Sequence, residues 1–229
     1  MAEIKASDVK ELRERTGAGM LDCKNVLTEA GGDMEKAVEL LKKKGLAAAA
    51  KKAGRTASEG AVASYIHMGG KIGVLIEVNC ETDFVAKTEE FQTFCRDLAM
   101  HIAAMSPMCV REEEIDPVYI AKQKEIFIAQ LKEDPKNSKK PANVLEEIVK
   151  GKVAKHLTEV VLLEQAHVKA DVYGKDKKIK DILAEKVAKI GENIVIRRFS
   201  RFQLGEGLEK KVSNLAEEVA AQVAASQKN

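Results

Sequence analysis

What most limits the fold of this chain is the spacing of its apolar residues. Almost everywhere they recur at helical intervals, and only a few short stretches alternate with a period of two. Val9 and Leu12 share one helix face, and Thr16-Gly17-Ala18-Gly19 interrupts that helix. Met20, Cys23, Leu27 and Ala30 mark a second amphipathic helix, which Gly31-Gly32 stops. Asp33 is a natural N-cap for a third, carrying Met34, Ala37, Val38 and Leu41 and ending on Lys42-Lys43-Lys44 and Gly45. Residues 1–45 therefore read as a three-helix unit with one small core. Ala47 to Ala53 favours helix, but Gly54 to Gly60 is polar, and a linker is placed over 46–60.

The alternating stretches come next. Val62, Ser64 and Ile66 alternate with Ala63, Tyr65 and His67, and Lys71 to Asn79 supplies a second strand. Gly69-Gly70 between them suits a two-residue hairpin turn. Thr88 then caps a helix whose face carries Phe91, Phe94, Cys95, Leu98, Ile102 and Met105, ended by Ser106-Pro107. Residues 111–165 read as two helices around the charged, proline-bearing segment 132–141, entered at Asp116-Pro117. A helical hairpin projecting from the body is expected, with Ile126, Leu131, Val144, Ile148, Val153 and Leu157 as its seam. Val168, Ala170 and Val172 predict a short strand over 167–173. Ile179, Ile182, Leu183, Val187 and Ile190 predict a helix ended by Gly191, and 194–202 a further strand. A final helix is expected after Gly205 and Gly207, with Leu208, Val212, Leu215, Val219 and Val223 on one stripe. The fold class is α+β. Its expected units are 1–45, a linker over 46–60, a core over 61–204 that includes the hairpin, and a C-terminal helical module over 205–229. No internal repeat or long low-complexity tract is visible.

Composition narrows function by exclusion. Lys and Arg number 38 against 36 Asp and Glu, a formal net charge of +2, so net charge gives no sign of a strongly basic nucleic-acid binder. Aromatics are 4% and Trp is absent, which argues against a base-stacking platform. Cys23, Cys80, Cys95 and Cys109 show no C-x-x-C spacing and read as small side chains in a reducing compartment. Met1 to Lys10 has no apolar signal region, and no apolar run approaches the roughly 20 residues that span a bilayer. A soluble, cytoplasmic protein is expected. No phosphate loop, H-E-x-x-H, G-x-S-x-G or dinucleotide fingerprint occurs. His67, His101, His156 and His167 are scattered, and His101 falls on the core face of its helix. The reading is of a protein that is not an enzyme and holds neither metal nor cofactor.

Glu77 to Lys87 is anomalous. Where a polar strand-to-helix joint is expected, Phe84 and Val85 stand beside Thr82 and Asp83. Two readings remain open here. Phe84 folds back onto the sheet while Thr82 or Asp83 caps the helix, or Phe84 protrudes as a wedge into a partner's cleft. Burial of one Phe is worth about 1.5–3 kcal/mol, enough for a hot spot.

Three segments carry a resemblance. Leu12-Arg13-Glu14-Arg15-Thr16-Gly17-Ala18-Gly19-Met20-Leu21-Asp22-Cys23-Lys24 is similar to the N-terminal signature of the bacterial elongation factor Ts family. Glu77 to Lys87, centred on Thr82-Asp83-Phe84-Val85, resembles that family's second signature, and Ala188 to Ile194 with Arg197-Arg198-Phe199 its core strand. The likeness runs from about residue 3 to the end. It implies a guanine-nucleotide exchange factor for elongation factor Tu, with a ubiquitin-associated-like N-terminal module. It further implies that Asp83 and Phe84, flanked by Thr82 and Val85, insert between two helices of the partner's GTPase domain. Arg13, Met20 and Leu21 would touch that domain too. A single hairpin-plus-helix resembles the short form of the family, which is expected to pair, so a homodimer binding two partner molecules is expected. Direct contact with nucleotide, nucleic acid or membrane is not. The rival reading is an RNA-binding or ribosome-associated α+β module using Lys42 to Lys44, Lys51, Lys52, Arg55, Arg197, Arg198 and Arg201 on phosphates.

Overall fold

The computed structural model describes residues 4–133 and 140–208. The expected C-terminal helix after Leu208 lies outside them. The chain begins with α1 (Ala6–Thr16), α2 (Met20–Glu29) and α3 (Met34–Lys52). Gly17 closes α1 in the left-handed region (φ 69°), donating its N–H to the Arg13 carbonyl, and the Asp33 side chain caps α3 by accepting from Lys36 N. Val9, Leu12, Cys23, Val26, Leu27 and Ala37 bury against one another as the core of these three helices. The expected end of the third helix at Gly45 is wrong. The helix runs on to Lys52, because the Ala/Lys stretch after Gly45 propagates it. Gly45 instead marks a close crossing: a Cβ there would lie 3.3 Å from the Cβ of Ala188.

A three-stranded antiparallel sheet comes next, in the order β1 (Glu59–Ile66), β2 (Ile72–Cys80), β3 (Val195–Gln203). Gly60 has φ 140°, and a Cβ on it would meet the Val78 carbonyl oxygen at 2.2 Å, so only glycine fits there. The hairpin is wider than the two-residue turn expected. Its loop spans 67–71, closed by His67 N donating to Ile72 O and Gly70 N to His67 O, with Gly69 and Gly70 both at positive φ.

Between β2 and β3 come α4 (Asp83–Ala86), α5 (Glu89–Met105), α6 (Pro117–Glu133), α7 (Ala142–Val160), α8 (Ala170–Tyr173) and α9 (Ile179–Ile190). One sheet face, carrying Val74, Ile76, Val78 and Ile196, forms the main core with Phe91, Phe94, Leu98 and Ile102 of α5 and Ile179, Ile182 and Val187 of α9. Thr88 caps α5, accepting from Phe91 N, and Ser106 ends it at φ 49°. Asp116 accepts from Val118 N at the start of α6. The seam between α6 and α7 is Leu131, Val149 and Val153, flanked by Ile120, Phe127, Ile148 and Leu157. Ile126 and Val144, expected in it, are exposed; Phe127, one position on, takes the inward place.

The strand expected over 167–173 is absent. Just before that segment lies one isolated antiparallel bridge, Ala166 to Lys178, and the segment itself holds the single turn of α8. Val168 and Val172, whose alternation suggested a strand, are exposed, while His167 turns inward. It stacks on His101 with centroids 5.1 Å apart. Val168 N donates to His101 Nδ1, so the His101 proton sits on Nε2 and is given to Gln165 Oε1 at 2.8 Å. His101 is thus a satisfied core histidine. Asp97 accepts from Tyr173 Oη at 2.8 Å and from Lys169 Nζ at 2.6 Å beside it.

Candidate functional site

The sheet delivers β2 to a joint at Cys80, and everything there is fixed by hydrogen bonds. Thr82 is extended, and its hydroxyl accepts from Val85 N, starting α4. Ala86 is buried and Val85 half-buried against the core. With those two facing inward, the one-turn helix turns Phe84 outward, 79% exposed. Of the two readings of this segment, the folded-back ring is not what the structure shows, though its capping half is correct for Thr82. Asp83 is half-exposed and accepts from Lys87 Nζ at 2.6 Å. That hydrogen bond holds its carboxyl below the ordinary carboxylate range.

The root of this segment is clasped from across the sheet. Glu192, just past the left-handed Gly191 that ends α9, accepts three hydrogen bonds with its carboxylate. They come from Glu81 N (3.1 Å), Thr82 N (3.0 Å) and Thr82 Oγ1 (2.6 Å). Glu81 answers by accepting from Asn193 N at 2.6 Å, and Arg55 Nη1 lies 3.5 Å from the same Glu81 oxygen. Asn193 Nδ2 donates in turn to the Arg55 carbonyl at 2.7 Å. None of Glu81, Glu192 or Asn193 stands out from the sequence as a site residue, and Arg55 does so only as a phosphate contact in the RNA-binding reading. The signal was present in Gly191-Glu192-Asn193, but a carboxylate's target 110 positions away is not legible from spacing.

A second exposed group flanks the α1–α2 turn: Arg13 in the last turn of α1, and Met20 and Leu21 in the first turn of α2. Cys23, Val26 and Leu27 take the inner face of α2, which leaves Met20 and Leu21 outside, Leu21 71% exposed. Thr16 Oγ1 ties the turn by donating to Leu12 O at 2.6 Å. This patch does not include the Thr82–Val85 segment, but both rest on the end of α9. Lys189 Cε lies 3.2 Å from where a Cβ on Gly17 would sit, and Lys189 Nζ donates to Glu90 at 2.8 Å.

The other chemistry is subdued. Burial pushes the Cys80 thiol up to about 11 and Cys95 to about 12, so both stay protonated and inert. Among the described residues, no cluster of three or more His, Cys, Asp or Glu is placed to hold a metal, and no helix is long and apolar enough to cross a membrane.

What the fold presents, then, is an exposed aromatic ring on a hydrogen-bonded turn and an exposed apolar helix start. Comparison with known proteins gives the chain its family. The elongation factor Ts family model matches residues 22–172. The chain is 64% identical over 220 residues to elongation factor Ts of Anaeromyxobacter sp. (strain K), covering 96% of this chain and 97% of that one. It is 60% identical over 218 residues to that of Geotalea daltonii, covering 95% and 97%. With that of Alkaliphilus metalliredigens it shares 58% over 221 residues, covering 96% and 99%. The chain belongs to the elongation factor Ts family, a family of translation elongation factors.

Proposed function

We propose that this protein is a guanine-nucleotide exchange factor that speeds GDP release from elongation factor Tu, acting in the cytoplasm without breaking a bond. The observation that carries the mechanism is Phe84, 79% exposed on a turn whose backbone is pinned on both sides. An exchange factor binds the nucleotide-free partner better than the loaded one, and by linkage each then loosens the other by the same factor. A GTPase with nanomolar GDP holds about 12 kcal/mol, and each tenfold loosening takes about 1.4 kcal/mol of differential contact. Phe84, entering between two partner helices with Asp83 beside it, supplies one to two of those powers of ten, since its burial is worth about 1.5–3 kcal/mol. Arg13, Met20 and Leu21, on a ubiquitin-associated-like module, add a share. Shifting the helices that carry the Mg²⁺ ligands leaves the diphosphate poorly neutralised.

Several of the cations that the RNA-binding reading puts on phosphates are paired with carboxylates within the protein. Arg197 and Arg198 both donate to Glu77 at 2.6 Å, and Lys44 and Lys43 pair with Glu29 and Glu39.

Phe84→Ala tests the proposal. Release of fluorescent GDP from elongation factor Tu should slow about ten- to a hundredfold. The melting temperature should barely move, because an exposed ring holds little of the fold. An unchanged release rate refutes the reading. We further propose that two copies associate through the sheet face opposite the core.

A further inference from the structure

Phe84 can open a partner only if its turn resists the load, and α4 is four residues long, with no packing of its own to stiffen it beyond Val85 and Ala86. The stiffness comes from outside the segment. We propose that Glu192, with its partner Glu81, is a positioning residue for exchange, fixing the angle at which Phe84 leaves the sheet. This rests on the reading of Phe84 as the group that enters the partner.

Three features support it. First, the Glu192 carboxylate spends three acceptor positions on one dipeptide, Glu81-Thr82. Two of them fix successive backbone amides, so the direction of the chain entering α4 is set, not merely its place. Hydrogen bonds to a charged acceptor are about twice as strong as neutral ones. Second, the clasp is reciprocal: the Glu81 carboxylate accepts from Asn193 N, so the 81–82 and 192–193 segments hold each other. Slippage of one requires breaking bonds at both. Third, the clasp joins the two exposed patches. Asn193 Nδ2 reaches the Arg55 carbonyl just beyond α3, while Lys189, one turn back on α9, supports the Gly17 turn that leads into Met20 and Leu21. The end of α9 thus holds Phe84 and the Met20–Leu21 patch in a common frame. A two-point contact gains from such pre-organisation, because the ordering is already done in the free protein.

The test uses the full chain and the fluorescent GDP release assay. Glu192→Gln keeps the size of the side chain but sets an NH2 group against one of the donors. It should lower kcat/KM for release about tenfold, the worth of one charged hydrogen bond. In the Phe84→Ala background the same change should have a much smaller effect, only the share carried through the Met20–Leu21 patch, since a positioning residue cannot act once the main group it positions is gone. Hydrogen exchange at the Glu81 and Thr82 amides should quicken. Parent-rate exchange by Glu192→Gln overturns the proposal, and so does equal slowing with and without Phe84, which would mark a general loss of fold. Should Glu192→Gln fail to fold, Glu81→Ala removes the acceptor of the reciprocal bond from Asn193 N and makes the same comparison. If Phe84→Ala alone leaves release unchanged, the reading beneath the proposal fails first, and visibly so.

Discussion

His167 is 4% exposed, and among the described residues its Nε2 atom meets no hydrogen-bond partner. Its Nδ1 accepts from Lys169 N at 3.0 Å, so the proton it carries lies on Nε2 and the ring is neutral. Burial first, then the neighbouring His101, pushes its pKa down to about 4; Asp97 opposes this and Lys169 adds to it. Tyr173 packs edge-on against the ring at 4.5 Å, its own pKa raised by burial and by Asp97. Burial lowers the pKa of His101 as well. The unfolded chain takes up a proton near pH 6.5, and the folded one resists until about 4. Stability is therefore complete above about pH 6.5 and declines as pH falls toward 4, by about 3 kcal/mol from this one group. The urea midpoint should hold level from about pH 8 to about pH 7 and then drop. His167→Phe should show a shallower drop, the remainder coming from His101. A wild-type midpoint flat down to about pH 4.5 would contradict the account. Sequence placed His101 in the core correctly, because a helix face has a period to read. His167 was missed, because its neighbours Val168 and Val172 alternate and simulate a strand whose buried side would be theirs.

Helix ends show which local signals can be trusted. Gly17 and Gly191 stop their helices in the left-handed region, where glycine is at no disadvantage. Gly45 carries no such angle, and the run Ala47 to Ala50 behind it continues the helix. A glycine signals a stop only when the residues beyond it are poor helix formers, and the close approach of Ala188 is a tertiary fact with no local trace. Likewise, a pattern of apolar positions on α6 cannot choose between Ile126 and Phe127 until α7 is in place. The crossing of α3 and α9 predicts different fates for two substitutions. Gly45→Ala gains about 1 kcal/mol of helix propensity and loses much of it to the 3.3 Å contact with Ala188, leaving stability nearly unchanged. Gly45→Leu forces the helices apart and should cost about 1–3 kcal/mol, read as a lower melting temperature by circular dichroism. Equal melting temperatures for the two variants would show that α3 does not bear on α9 as described.

At the scale of the whole molecule, β2 poses a question that its own subunit does not answer. Ile72-Gly73-Val74-Leu75-Ile76 is apolar without alternation, a pattern that belongs to strands covered on both faces. Only one face is covered by the elements described. Register sets Ile66, Gly73 and Phe202 side by side on the other, with Ser64, Leu75 and Ser200 in the next row and Val62, Glu77 and Arg198 in the third. Val62, Ile66 and Phe202 are exposed, Phe202 at 68%. Small residues between large ones give a surface able to interdigitate with a copy of itself, the pairing proposed above, and the Glu77–Arg198 pair lies at one end of it. A two-fold axis through such a face pairs like with like and closes without leaving a second patch open. Two sheets stacked about 10 Å apart would bury these side chains together. On this basis light scattering at micromolar concentration should give a particle of twice the chain's 25.1 kDa. Phe202→Asp replaces the largest exposed apolar side chain of that face with a charge and should shift the protein to monomer, with its far-ultraviolet circular dichroism unchanged because the ring, 68% exposed, does not support the subunit's own core. A wild-type chain that scatters as a monomer and exchanges nucleotide at full rate would assign the open face to some other contact.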